Sequence, residues 1–143
     1  MLNNLLSVQS ESYNQYRMFA FIIREINKIP GCRYYTNEGN IYVTKGSGQC
    51  AAVVSHMDTV HDIVEDLHPV YFGDNITGFN RVTMEQTGIG GDDKCGIYVC
   101  LQALAYFKNI KVAFFRDEET GCNGSYLADL SFFDGCSFVL QCD

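Results

Sequence analysis

The chain has 143 residues with 17 acidic and 10 basic side chains, a net charge of −7 at neutral pH. A chain so acidic is a poor partner for nucleic acid or an anionic membrane surface, and no apolar run reaches the 18 or so residues of a membrane span. A hydrophobic content of 47% with 19% charged residues, no repeat and no low-complexity tract leave one small globular domain over residues 1–143.

In chain order, Met1 to Ser10 lacks a basic stretch followed by a continuous apolar one, so no secretion signal is expected. Residues 12–29 carry the pattern of an amphipathic helix. Ser12 and Gln15 have the spacing of a capping box, Phe19, Ile22, Ile23 and Ile26 share a stripe, and Pro30-Gly31 stops it. Arg33–Tyr35 and Asn40–Thr44, around Asn37-Glu38-Gly39, predict a hairpin. A strand over Ala51–Ser55 follows. Residues 60–88 are the least regular: Val70, Phe72, Ile76, Phe79, Val82 and Met84 alternate but Gly73 and Gly78 interrupt them, giving one or two short strands. Lys94–Lys108 reads as a largely buried helix, with Ile97, Leu101, Leu104 and Lys108 on one line and Cys100 and Phe107 beside it. A strand over 111–116, an acidic turn, a helix over Ser125–Leu130 and a strand over 137–142 complete an α/β alternation with no linker.

Cysteines stand at 32, 50, 95, 100, 122, 136 and 142. They are odd in number, form no Cys-x-x-Cys pair and lie mostly inside apolar runs. Buried reduced thiols are expected rather than disulfides or a thiolate zinc site, which points to the cytoplasm.

Three runs with the length and the β-branched or aromatic content of buried strands end in metal-binding residue types. Ala51–Ser55 runs into His56-Met57-Asp58, Lys111–Arg116 into Asp117-Glu118-Glu119, and Ser137–Cys142 into Asp143. Open parallel sheets bind ligands beyond the carboxyl ends of their strands, so these residues and Asp92 converge on one crevice. Together with Asp93 they hold seven of the 17 acids. Crowding them without a counterion raises their pKa values and costs stability, and one or two divalent cations remove that cost. His61, in a polar loop, and His68, before Pro69, read as non-ligands.

Each motif has its own chemistry. In His56-x-Asp58 the aspartate aligns the imidazole and sets its tautomer. In Gly90-Gly91-Asp92-Asp93-Lys94-Cys95-Gly96 the glycines allow a sharp turn, and Asp92 stands at the positive end of a helix, able to bridge two cations. Gly88-x-Gly90 lacks the third glycine of a dinucleotide fingerprint, and neither a P-loop nor an EF-hand loop is present. The adjacent Glu118 and Glu119 point different ways, so one can bind metal while the other handles protons.

Ser55-His56-Met57-Asp58-Thr59-Val60, Gly91-Asp92-Asp93-Lys94-x-Gly96 and Glu118-Glu119-Thr120-Gly121 together resemble the signature of the co-catalytic di-zinc exopeptidases and amidohydrolases. That superfamily includes peptidase T, carboxypeptidase G and aminoacylase, and the peptidase T forms of the motifs look nearest. The resemblance runs from about residue 50 to residue 143. It implies an α/β three-layer sandwich with a mixed, mostly parallel central sheet, truncated before the lid domain. It further implies that His56 and Asp143 hold the first zinc, that Asp92 bridges to the second, and that Glu119 holds the second. Glu118 is then the general base and Asp58 stands behind His56. Zinc is the implied cofactor, with cobalt or manganese also suited to such ligands. The implied reaction is hydrolysis of an amide bond in a small peptide or N-acyl amino acid. Family members carry a further histidine for the second zinc and a lid domain in a much longer chain, so a missing C-terminal half or a second copy is an expected partner. A non-catalytic metal-binding module remains the alternative; a metal-dependent phosphatase is disfavoured, because Lys94 alone is no phosphate cradle.

Overall fold

The computed structural model describes residues 1–64 and 66–143. In chain order these form helices α1 (Leu2–Leu6) and α2 (Tyr16–Ile26), then strands β1 (Cys32–Asn37), β2 (Asn40–Lys45) and β3 (Cys50–His56). Strands β4 (Leu67–Phe72), β5 (Asn75–Asn80) and β6 (Glu85–Thr87) follow, and then helix α3 (Gly91–Tyr106) and strand β7 (Ile110–Phe115). Helix α4 (Asn123–Tyr126), a 3-10 helix at Leu130–Phe133 and strand β8 (Cys136–Gln141) complete the order.

The main sheet runs β1-β2-β7-β3-β8. It is mixed: β1/β2 and β2/β7 are antiparallel, while β7/β3 and β3/β8 are parallel. The parallel half sets up the site. Because β3, β7 and β8 lie side by side and point the same way, their carboxyl ends open at one edge. Near-continuous apolar runs mark β2, β3 and β7 as strands covered on both faces. On one face Ile41, Val43, Val53, Val112 and Phe114 pack with Leu5, Ile22, Ile97 and Leu104 from α1, α2 and α3. On the other, Tyr42, Val54, Ala113 and Phe115 pack against Phe132 of the 3-10 helix. Helices on both faces of a mixed sheet make the three-layer α/β sandwich.

The structure shifts several expected boundaries, each for a local reason. Helix α2 begins at Tyr16 rather than 12; Gln15 is its N-cap, without a side-chain bond, and the Ser12 hydroxyl is engaged elsewhere. Its buried stripe is Met18, Phe21, Ile22 and Ile26, with Phe19 and Ile23 only partly covered. The hairpin turns on two residues, because Asn37 pairs with Asn40, and Glu38 (φ 50°) and Gly39 (φ 78°) both take the positive φ of a type I′ turn. Residues 67–87 hold three strands, not one or two, in a separate antiparallel sheet. The alternating residues there are not core: Phe72 is 82% and Met84 70% exposed. The helix expected over 125–130 breaks at Asp129, whose carboxylate accepts from Ser131 N (3.1 Å) and caps the 3-10 turn instead. Past the end of α3, Phe107 is 49% exposed.

Two further expectations are corrected. Strand β8 is not buried: bonded to β3 alone, it is an outer strand with Phe138, Val139 and Leu140 more than half exposed. All seven cysteines are free, as expected, but of these only Cys50 and Cys100 are buried, and Cys95 and Cys122 are exposed. No helix among the described residues is long and apolar enough to cross a membrane.

Candidate metal centre

The site gathers at the edge where β3, β7 and β8 end. His56 is the last residue of β3 and is 3% exposed. Its Nε2 lies 3.0 Å from Asp92 Oδ1, 4.0 Å from Glu118 Oε2 and 4.0 Å from Asp143 Oδ1. Ligand atoms of His56, Asp92 and Asp143 fall within 4.8 Å of one another, as do those of His56, Glu118 and Glu119. Four carboxylates from three separate elements therefore surround one imidazole.

Two buried aspartates hold this arrangement from behind. Asp58, fully buried, accepts Glu118 N (2.8 Å) on Oδ1 and both Glu119 N (3.2 Å) and the Ser12 hydroxyl (2.7 Å) on Oδ2. Its Oδ1 also sits 3.4 Å from His56 Nδ1, at ion-pair distance but outside hydrogen-bond alignment. Burial alone raises the Asp58 pKa, but the imidazole beside it and the donors from Ser12, Glu118 and Glu119 outweigh that and hold it below the usual carboxylate value.

Asp93 does comparable work at the head of α3. Asp92 and Asp93 have non-helical backbone angles and a cis peptide between them, so regular helix starts at Lys94. Asp93 Oδ1 accepts Gly96 N (2.8 Å), the cap of that helix, and Oδ2 accepts His56 N (3.4 Å). Glycine at 96 leaves room for this cap, because a Cβ there would stand 2.2 Å from the Asp93 carboxylate. Asp92 itself is free of this capping duty and projects toward His56, with its side chain 66% exposed.

The loop after β7 turns at Asp117 (φ 49°), which is buried, pairs with the Arg116 guanidinium and accepts Tyr13 N (2.7 Å). That turn sends the amides of Glu118 and Glu119 back to Asp58. The Cys122 thiol donates to Glu118 Oε1 (3.2 Å).

The electrostatics are those of crowded acids. Burial disfavours a charged His56, but Asp58 and Asp92 outweigh it and push its pKa up to about 9. Glu119 is raised by burial and then by the neighbouring Asp92 charge. Lys94 brings no relief. The residue is 2% exposed, its ammonium donates to the carbonyls of Ile89 (2.7 Å) and Leu6 (3.1 Å), and burial lowers its pKa to about 8. One imidazole with four carboxylates fits a divalent cation of the zinc type, which binds nitrogen and carboxylate oxygen at roughly 2.0–2.2 Å. Beside the cluster lies a cavity of about 90 Å³, walled by Val54, Phe115, Glu118, Cys122 and Gln141.

Of the residues singled out in the sequence, His56, Asp92, Glu118, Glu119 and Asp143 meet at this edge and Asp58 lies directly behind His56. His68 pairs instead with Asp66 (2.7 Å), and His61 lies against Gly88. Sequence reasoning missed Ser12, Asp93, Asp117 and Cys122. An aspartate three residues before Gly96 at a helix start was a usable capping signal for Asp93. Ser12 had none, since its partner lies 46 residues away.

No family model matches the chain, and no curated protein matches it. Solved structures do. A tripeptidase from Staphylococcus aureus superposes with a TM-score of 0.81 at 22% identity, over 99% of this chain and 41% of its own. An aminoacylhistidine dipeptidase from Vibrio alginolyticus gives 0.79 at 20%, over 98% of this chain and 31% of its own. The aminopeptidase PepT from Bacillus cereus gives 0.74 at 19%, over 91% of this chain and 38% of its own. The chain thus spans less than half the length of each of these structures, and over that span it has the fold of these peptidases.

Proposed function

We propose that this chain carries the metal-binding half of a zinc-dependent exopeptidase or amidohydrolase site, acting on the amide bond of a small peptide or N-acyl amino acid. The observation that carries the reading is the approach of the Asp92, Glu118 and Asp143 carboxylates to within 4.0 Å of one buried imidazole nitrogen. The fold shared with a tripeptidase, a dipeptidase and an aminopeptidase agrees with it.

His56, Asp92 and Asp143 would hold one ion, and Asp92 with Glu119 would contribute to a second. Zinc bound there supplies a water of near-neutral pKa and a Lewis acid for the scissile carbonyl. Glu118 would be the group that accepts and passes on a proton beside that ion, through the Oε2 that lies 4.0 Å from His56 Nε2. Its side chain is 27% exposed, within reach of a substrate, and the Cys122 thiol steadies the oxygen that faces away from His56. Asp58 keeps the His56 ring oriented, and through the amides of Glu118 and Glu119 it fixes both glutamates to the same anchor.

Zinc titration of the chain, paired with assays on di- and tripeptides and N-acyl amino acids, tests the reading. Zinc binding that disappears in His56→Ala supports the centre. Glu118→Gln should keep zinc and lose about 10²–10⁴-fold in turnover. A chain that binds no zinc overturns the proposal; one that binds zinc yet hydrolyses none of these substrates is the non-catalytic metal-binding module.

A further inference from the structure

A strap from Ser10 to Tyr13 crosses the back of the metal centre. It is tied to the loops after both β3 and β7. The Ser10 carbonyl accepts Thr59 N (2.7 Å), and the Ser10 hydroxyl donates to the Met57 carbonyl. Glu11 forms a parallel bridge with Thr59 and accepts Ile63 N (3.2 Å) through its carboxylate. The Ser12 hydroxyl donates to Asp58 Oδ2 (2.7 Å), and Tyr13 N donates to Asp117 Oδ1 (2.7 Å). Tyr13 takes a positive φ of 63° at this last contact.

Asp58 is the point where these ties matter. Its Oδ2 takes the Ser12 hydroxyl and Glu119 N, while Oδ1 takes Glu118 N and faces His56 Nδ1. Both backbone donors come from one peptide stretch, Glu118–Glu119, and the Ser12 hydroxyl is the donor from a separate segment of the chain. Without that second tie the carboxylate can move with the 118–119 stretch, and its position beside the imidazole is no longer fixed.

We infer that Ser12 is a positioning residue of the metal centre: its hydroxyl locks the rotamer of Asp58, and Asp58 in turn sets the ring of His56 and the backbone of Glu118–Glu119. The inference rests on the metal-centre reading and adds to it a residue from outside the strand-end motifs. Residues that orient a metal ligand typically change metal affinity about 10–100-fold when removed. Ser12 acts one bond further out, so Ser12→Ala should weaken zinc about 3–10-fold. Ser12→Thr, which keeps the hydroxyl, should restore it.

The experiment is zinc affinity by competition with a chromophoric chelator, on the full chain, for wild type, Ser12→Ala, Ser12→Thr and Ser12→Cys, beside the melting midpoint of each without metal. Weaker zinc binding in Ser12→Ala than in Ser12→Thr, by a factor larger than any difference in metal-free stability explains, supports the role. Should the alanine variant fail to fold, Ser12→Cys, a poor donor of similar size, takes its place against Ser12→Thr. Equal zinc affinity in wild type and the donor-deficient variant overturns the positioning role alone. A wild type that binds no zinc overturns the metal centre and this inference together.

Discussion

Replacing Gly96 by alanine tests whether the Asp93 carboxylate holds the head of α3. An alanine Cβ would stand 2.2 and 2.3 Å from the two Asp93 oxygens, well inside the 3.0 Å that real Cβ contacts respect. One of two things must give. If the carboxylate swings away, the helix loses a cap worth about 1 kcal/mol, and a buried acceptor goes unsatisfied at about 1–3 kcal/mol. If the helix shifts instead, overpacking costs about 1–3 kcal/mol. Alanine's better helix propensity returns only about 1 kcal/mol. Set against that gain, the first route loses about 1–3 kcal/mol and the second about 0–2 kcal/mol, at roughly 3–4 °C in the melting midpoint per kcal/mol for a chain of this size. Urea melts of the metal-free protein measure it, with Gly91→Ala as control, since a Cβ at Gly91 meets nothing nearer than Cys95 Sγ at 4.0 Å. Asp93→Ala combined with Gly96→Ala should cost little more than Asp93→Ala alone, because the clash leaves with the carboxylate. A Gly96→Ala protein as stable as wild type, together with an Asp93→Ala protein that is equally stable, would refute the cap and, with it, the account of how Asp92 is presented.

Saturating zinc, at about 100 times its dissociation constant, should stabilise the wild type by about 2.7 kcal/mol but leave the melting of His56→Ala unchanged; differential scanning fluorimetry decides. Phe114→Ala, at a fully buried position, should cost about 3–5 kcal/mol, whereas Phe138→Ala, at one that is 59% exposed, should cost under about 1 kcal/mol; denaturant midpoints compare them. Tyr35 donates to Asp129 Oδ2 (2.8 Å) and burial and that bond raise its pKa, so the unfolded chain ionises it first as pH climbs. Stability from this contact is present below the ordinary tyrosine value of about 10 and lost above it. The stability gap between wild type and Tyr35→Phe should therefore narrow in alkaline urea melts, and a gap constant from pH 8 to 11 would exclude the bond.

What the sequence revealed and what it hid divide along one physical line. Short-range patterns were legible. Continuous apolar runs located β3 and β7, whose both-face burial produces that signal, and the glycine-acid stretch placed the head of α3. The same reasoning overstated β8, because an apolar run records what a strand can bury and not whether anything covers it; Phe138 and Leu140 are exposed in this chain all the same. It understated residues 67–87, because Gly73 and Gly78, which interrupt the alternation, lie in the β4–β5 turn and inside β5, and three strands pair there. The metal-binding residue types at the strand ends were legible although they lie far apart, but buried polar side chains outside those motifs with distant partners were not. Ser12 and Gln15 have the spacing of a capping box, yet the hydroxyl reaches Asp58 instead, and a local rule cannot see a partner 46 residues away.

The misread serine points to how the site is built. At the head of α3 and in the loop after β7 an acid that faces the crevice, Asp92 or Glu118, stands next to a buried one committed to the frame, Asp93 or Asp117, and Asp58 is the buried acid behind His56. Asp58 is satisfied by the amides of Glu118 and Glu119 and Asp93 by that of Gly96 in the following helix turn, so each fixes a segment next to an outward acid. Negative charge is thereby concentrated on rigid backbone with no lysine or arginine paired to the outward set among the described residues. A surface selected only for solubility would spread those charges apart and leave them mobile, since their repulsion costs stability and returns nothing. Here the framing acids keep the repelling groups together, which is what the proposed metal centre needs if a cation is to bind without first ordering its site.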